Sequence, residues 1–189
     1  MSIEIIQNPL SYTQRLEERD THSINLVVIH CTELPDLGKA RQWGEKVMHP
    51  QTQTGNSGHF YIDRDGLLEQ WVPVSRVAHH VRGFNAGSIG IELVNRGRYP
   101  DWFNSGNQQM NEPYSDQQIL SLIQLLQYLV GSLPGLNRIA GHEDLDTQKM
   151  PSDDDPDILI QRKLDPGPLF PWSTVLKNSQ LKRVTNIIQ

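Results

Sequence analysis

The chain has 189 residues, 37% of them apolar, with 17 Lys and Arg against 22 Asp and Glu and a formal charge of −5. That length suits a single domain, residues 1–189, since one hydrophobic core typically organises roughly 100–200 residues, and the acid excess argues against a partner recognised through phosphates, so no nucleic acid is expected. The lone cysteine, Cys31, excludes a disulfide framework and any Cys-rich metal site, which leaves histidines and carboxylates as the metal-capable side chains.

In chain order, Met1 to Pro9 has neither the basic nor the apolar region of a signal peptide, and no run approaches the roughly 18–20 apolar residues of a membrane span. The expectation is a soluble, cytoplasmic protein. Ile24 to His30 is a nearly continuous apolar, β-branched run, the pattern of a strand buried on both faces, and it places His30 at the strand end. Residues 36–48 read as a short helix weakened by Gly38 and Gly44. After the Gly55 to Gly58 loop, His59 to Asp63 and Leu67 to Val72 read as two strands around an Asp65-Gly66 turn.

Ser88 to Val94 is a further strand. Alternation sends Ile89, Ile91 and Leu93 to one side and Ser88, Gly90 and Glu92 to the other, so Glu92 is an acid in mid-strand on a face of small residues. The strongest helix begins at Ser115, where Ser115 to Gln118 matches a capping box, and runs to about Val130, with Ile119, Leu122, Ile123, Leu126 and Leu129 forming an apolar stripe. Arg138 to His142 is a short strand, and Pro171 opens a helix over 171–177. Strands and helices mix without strict βαβ alternation, which predicts an α/β (α+β) fold: a central mixed sheet flanked by helices on both faces.

Three places combine a metal-capable side chain with a rigid setting: His30, His142, and Asp165 in Lys163-Leu164-Asp165-Pro166-Gly167-Pro168. Two imidazoles and a carboxylate, with a fourth position left for water, is a standard hydrolytic zinc set. Spacing alone leaves other acids open, because Asp144, Asp146 and Asp153 lie nearby.

The local sequences are more specific. His30-Cys31-Thr32-Glu33, Gly58-His59-Phe60-Tyr61-Ile62-Asp63-Arg64-Asp65-Gly66, Asn85 to Val94, Gly141-His142-Glu143-Asp144 and Arg162 to Trp172 occur in an order that resembles the zinc-dependent N-acetylmuramoyl-L-alanine amidases of the type-2 amidase family, which includes the phage T7-type lysozyme and the peptidoglycan recognition proteins. The resemblance covers about residues 22–178. It implies a Zn2+ cofactor held by His30, His142 and Asp165, with Glu92 acting on the catalytic water and Lys163 beside the reacting carbonyl. His80, Asn85 and His59 are implied as substrate contacts. The implied activity is hydrolysis of the amide between the lactyl group of N-acetylmuramic acid, in its 1,6-anhydro form, and L-alanine. The partners would be anhydro-muropeptide fragments met in cell-wall recycling, and the protein would act as a monomer. The alternatives are an amidase of intact peptidoglycan, as in autolysins and phage lysins, or a non-catalytic muropeptide-binding module on the same fold.

Blander readings stand beside these. His30 and His142 can be strand-end histidines satisfied by backbone, Glu92 can pair with Arg64 or Arg82, and Lys163 and Arg162 can be an exposed basic pair. Cys31 points away from His30 and reads as core packing. His22 and His49 carry no signal, and Arg82, Arg96 and Arg98 are unranked candidates for stem-peptide carboxylates. Residues 143–162, with seven acids in twenty positions, read as a solvated surface loop or a rim of the cleft. Residues 179–189 read as a solvated C-terminal tail.

Overall fold

The computed structural model describes residues 3–185. Nine strands are present among the described residues: β1 (Ile6–Gln7), β2 (Leu26–Cys31), β3 (Phe60–Ile62), β4 (Leu68–Gln70), β5 (Ser88–Leu93), β6 (Arg138–Gly141), β7 (Lys149–Pro151), β8 (Leu159–Gln161) and β9 (Lys182–Arg183). The helices are α1 (Leu37–Gly44), α2 (Asp116–Ser132), α3 (His142–Leu145) and α4 (Trp172–Ser179). Seven strands form one sheet in the order β1-β4-β3-β5-β2-β6-β9. All neighbours run parallel except the β3-β4 pair, so the sheet is mixed.

β2 lies between β5 and β6, and all six of its residues are buried. This follows from its sequence: Val27 and Ile29 join Ile89, Ile91 and Leu93 on the face covered by α2 and α4, while Leu26 and Val28 pack against Val81 and Ala140 on the other. The second face is closed by loops and by α1, whose Ala40 meets the Leu10, Tyr12, Tyr61 and Trp71 cluster.

The start of α2 differs from the sequence expectation in one detail. Ser115 caps the helix, its Oγ accepting from the Gln118 N–H at 3.1 Å. Gln118 does not reach back to complete the box. Its buried amide instead donates to the Ile62 and Val94 carbonyls at 2.9 and 3.1 Å, binding α2 to the ends of β3 and β5. The Ile62 carbonyl already accepts from the Val94 N–H at 2.9 Å, but the Val94 carbonyl would otherwise be left in an apolar interior, which explains why Gln118 goes there.

Two acid-rich or terminal segments are more ordered than their composition suggests. Within 143–162, β7 and β8 form an antiparallel pair, Ile160 and Ser152 are buried, and Asp154 accepts from the backbone and side chain of Ser105 at 2.6 Å. The segment expected as a solvated tail contributes β9, which extends the sheet beside β6, with Leu181 buried in the main core. Arg183 from β9 pairs with Asp144 at 3.1 Å and lies over the Trp172 ring, so this basic residue of the expected tail is a structural tie. Residues 186–189 of the expected tail lie outside the described residues.

Candidate active site

The parallel register decides what meets what. Across the sheet, Tyr61 of β3 is level with Glu92 of β5, and Glu92 is level with His30 of β2. Ile29 is level with Gly141 at the end of β6, so the next residue, His142, follows His30 in the same row. Side chains level across a sheet share a face. Four residues far apart in sequence therefore line up at the carboxyl ends of parallel strands, where ligands of open α/β sheets are commonly bound.

Asp165 completes the group from the loop before α4. His30, His142 and Asp165 are all buried, and each offers a ligand atom within 4.8 Å of the others. Asp165 Oδ2 is 3.0 Å from His30 Nδ1 and 3.1 Å from His142 Nδ1. The second carboxylate oxygen, Oδ1, and His142 Nε2 are buried without hydrogen-bond partners. Burial alone would raise the Asp165 pKa, but His142 and then His30 outweigh it and hold this carboxyl well below the usual range. A buried carboxylate facing two imidazole nitrogens, with polar valences left open, fits a divalent cation of the zinc class. The other acids weighed as third ligands are placed elsewhere: Asp144 accepts from the Gly141 N–H and pairs with Arg183, Asp146 pairs with Arg162, and Asp153 is exposed and does not line the cavity.

Glu92 and Lys163 line the same cavity, which has a volume of about 550 Å³. Glu92 forms no ion pair among the described residues. Arg64, one of its expected partners, is taken by Glu112 at 2.6 Å. Burial pushes the Glu92 pKa up to about 7, with His30 and Lys163 opposing the rise and Asp165 adding to it. Gly58 makes room for this side chain, since a Cβ there would lie 2.8 Å from Glu92 Cγ.

The three expected substrate contacts are placed differently. His59 is 0% exposed, with Nδ1 accepting the Gly90 N–H at 3.0 Å and Nε2 lying 3.1 Å from the Arg76 carbonyl. Burial, followed by the charge of Arg19, lowers its pKa to about 3. It braces β3 against β5 and does not reach a ligand in the cavity, which corrects that expectation. Asn85 lines the cavity, but its Oδ1 accepts from the His80 and Val81 N–H groups at 3.0 and 2.8 Å. His80 also lines the cavity, yet both ring nitrogens are engaged, one by His30 and the other by Ser88. Burial and neighbouring His30 hold the His80 pKa well below the ordinary histidine value. A substrate can meet the edge of that ring but finds no free nitrogen.

Sequence reasoning missed other cavity residues. Arg162, expected as exposed decoration, lines the cavity beside the candidate Arg82, and so do Trp43, His49 and His79. Nothing in the local sequence marks His49; its approach to His79, with ring centroids 4.4 Å apart, is a product of loop packing. Arg98, a candidate for peptide carboxylates, is excluded: it is 1% exposed and grips Glu33 through two bonds of 2.7 and 2.9 Å. Arg98 also donates to the Gln161 and Arg162 carbonyls, both at 3.2 Å, steadying the chain just before Lys163. Arg98→Ala leaves a buried carboxylate unpaired, so a loss of about 3–5 kcal/mol in urea unfolding is expected. An unchanged unfolding midpoint would show that the pair carries no weight.

Comparison with known proteins follows the same lines. The family described as N-acetylmuramoyl-L-alanine amidase matches residues 20–168. The 1,6-anhydro-N-acetylmuramyl-L-alanine amidase AmpD of Enterobacter cloacae is 32% identical over 136 residues, 66% of this chain and 59% of the relative's length. AmpD of Haemophilus influenzae is 29% identical over 199 residues, covering 92% of this chain and 90% of the relative. Among solved structures, AmiD of E. coli in complex with anhydro-N-acetylmuramic acid-L-Ala-D-gamma-Glu-L-Lys superposes with a TM-score of 0.64 at 25% identity, covering 85% of this chain and 59% of that one. With most of the chain matched to one family, and a mixed sheet that presents a buried His-His-Asp group beside a carboxylate, the chain belongs to the N-acetylmuramoyl-L-alanine amidases of the Amidase_2 family.

Proposed function

We propose that the chain is a zinc enzyme of cell-wall recycling, acting in the cytoplasm on anhydro-muropeptide fragments and cleaving the amide between the lactyl group of 1,6-anhydro-N-acetylmuramic acid and L-alanine. The observation that carries this reading is the convergence of His30, His142 and Asp165 on one cavity with Glu92 in the adjacent row. The similarity to two AmpD proteins, and to a structure holding an anhydromuramyl peptide, supports the choice of sugar.

In this reading His30, His142 and Asp165 hold the zinc. Zinc bound there supplies Lewis acidity toward the amide carbonyl and a water acidic enough to react near neutral pH. Glu92 accepts the proton of the attacking water and returns it to the departing L-alanine nitrogen, a task suited to a carboxylate whose pKa is raised toward neutrality. Lys163 places a positive charge where negative charge develops on the carbonyl oxygen. Its ammonium is near enough to lower the pKa values of both Glu92 and Asp165. Arg82 lines the cavity with Arg162, whose guanidinium is already paired with Asp146, and is the arginine better placed to meet a carboxylate of the stem peptide.

Mass spectrometry of digests tests the proposal. Anhydro-muramyl tripeptide should yield free tripeptide and anhydro sugar, faster than the non-anhydro compound or polymeric peptidoglycan releases its peptide. A chelator should stop the reaction and added zinc should restore it. Binding without any product would mark a muropeptide-binding module instead, and cleavage indifferent to chelator would remove zinc from the scheme.

A further inference from the structure

His80 lies flat against β5, where only a glycine admits it: a Cβ on Gly90 would lie 2.6 Å from the His80 ring. Its backbone is fixed by Asn85, and its ring joins a continuous line of hydrogen bonds. His30 Nε2 is 3.0 Å from His80 Nδ1, His80 Nε2 is 3.1 Å from Ser88 Oγ, and Ser88 Oγ is 2.8 Å from the Phe84 carbonyl.

The line has a direction, because a carbonyl oxygen only accepts. The Ser88 proton therefore goes to Phe84, and the Ser88 oxygen accepts from His80 Nε2–H. A neutral imidazole carries one N–H, so His80 Nδ1 holds a lone pair and accepts from His30 Nε2–H. In the neutral form of His30 that a metal requires, Nδ1, the atom that faces Asp165, is then the one left without a proton. A metal needs that lone pair, and an imidazole whose proton sat on Nδ1 would have to give it up before ligating.

We infer that Ser88 and His80 form a tautomer relay, anchored on the Phe84 carbonyl, that keeps the His30 proton on Nε2 and presents Nδ1 to the metal. His80 and Ser88 are then positioning residues acting through His30, a role different from the substrate contact implied for His80 by family resemblance. Both the ring nitrogens and the hydroxyl are fully engaged by the relay, and Ser88 is buried at the start of β5 with no route to a substrate. The inference rests on the zinc reading of the preceding section.

Two measurements test it. In wild-type protein labelled with 15N-histidine and loaded with zinc, two-bond proton–nitrogen correlation spectra should show His30 and His80 both protonated on Nε2. Zinc affinity, read by competition with a chromophoric chelator, should fall about 10–100-fold in His80→Phe, which keeps a ring but offers no acceptor. His80→Asn, whose amide oxygen stands near the position of Nδ1, should recover most of that loss, and Ser88→Ala should fall between. A proton on His80 Nδ1, or wild-type zinc affinity in His80→Phe, overturns the relay. Wild-type protein that binds no zinc overturns the proposed function itself, and the two failures are told apart by that control. The spectra need no variant, so a substitution that fails to fold does not spare the inference.

Discussion

His30→Ala should lose zinc and activity together, with kcat/KM down by roughly 10³-fold or more, because the reaction then lacks both the Lewis acid and the acidic water. His30 is the central member of the site: it stands level with Glu92, touches Asp165 at 3.0 Å, and lies 4.6 Å from the His142 ring, centroid to centroid. Its loss leaves two ligands, and a catalytic zinc site needs three. The useful comparison is wild-type protein with chelator, which should fall to the same residual rate, while chelator should have no further effect on His30→Ala. Groups that act as one unit show this lack of additivity. Stoichiometric zinc and undiminished cleavage in the variant, measured by metal analysis and product formation, would remove His30 from the ligand set.

The second large effect belongs to Glu92. Glu92→Gln retains shape and hydrogen bonding but cannot take a proton, so kcat is expected to fall about 10²–10⁴-fold with zinc still bound. The pH dependence has a definite sign. The carboxylate is the working form, so activity should drop as pH falls through its pKa, which lies near 7 in the metal-free site. A bound dication lowers that value, placing the acid limb at or below neutrality.

Stability moves the other way. A carboxyl whose folded pKa is raised from 4.5 to about 7 contributes stability below its unfolded pKa and loses it as pH climbs through the folded value. Metal-free Glu92→Gln should therefore melt a few degrees above wild type at pH 8, and the difference should close below pH 4.5. A variant with wild-type activity, or one that melts lower than wild type at pH 8, contradicts the assignment. The expected pattern is a trade of stability for function at one position.

How much of this was legible in the sequence depends on how local each signal is. β2 and β5 announce themselves because residues buried on both faces must be apolar, and Glu92 stands out because it interrupts such a strand. α2 is equally plain from its stripe and its serine cap. Gln118 is not, since its partners are the ends of β3 and β5 and nothing nearby in sequence reveals them. β9 is two residues long and reads as a charged tail until β6 supplies an edge to pair with. His30, His142 and Asp165 were found through short flanking motifs. His59 carries the same kind of flanking signal yet lies sealed behind the cavity that His80 lines, because a histidine beside a cavity and one sealed behind it have similar neighbours in sequence. Arg98 and Arg162 divide along the same line: both sit near another basic residue in polar segments, and only the fold buries one against Glu33 and opens the other to the cavity.

The row that runs from Tyr61 through Glu92 and His30 to His142 also bears on the order in which the molecule assembles. His30 and Asp165 are 135 positions apart in the chain, and their meeting requires β2 to have paired with both neighbours and the loop before α4 to have docked. Such non-local closure has to meet the loop-closure entropy before its contacts repay it, so it is expected late in folding. A dication gripped by these side chains holds only the finished molecule, so it slows unfolding far more than it hastens folding. Metal occupancy would then act as a lock on the completed sheet, and limited proteolysis should cut the protein faster with chelator than with added zinc.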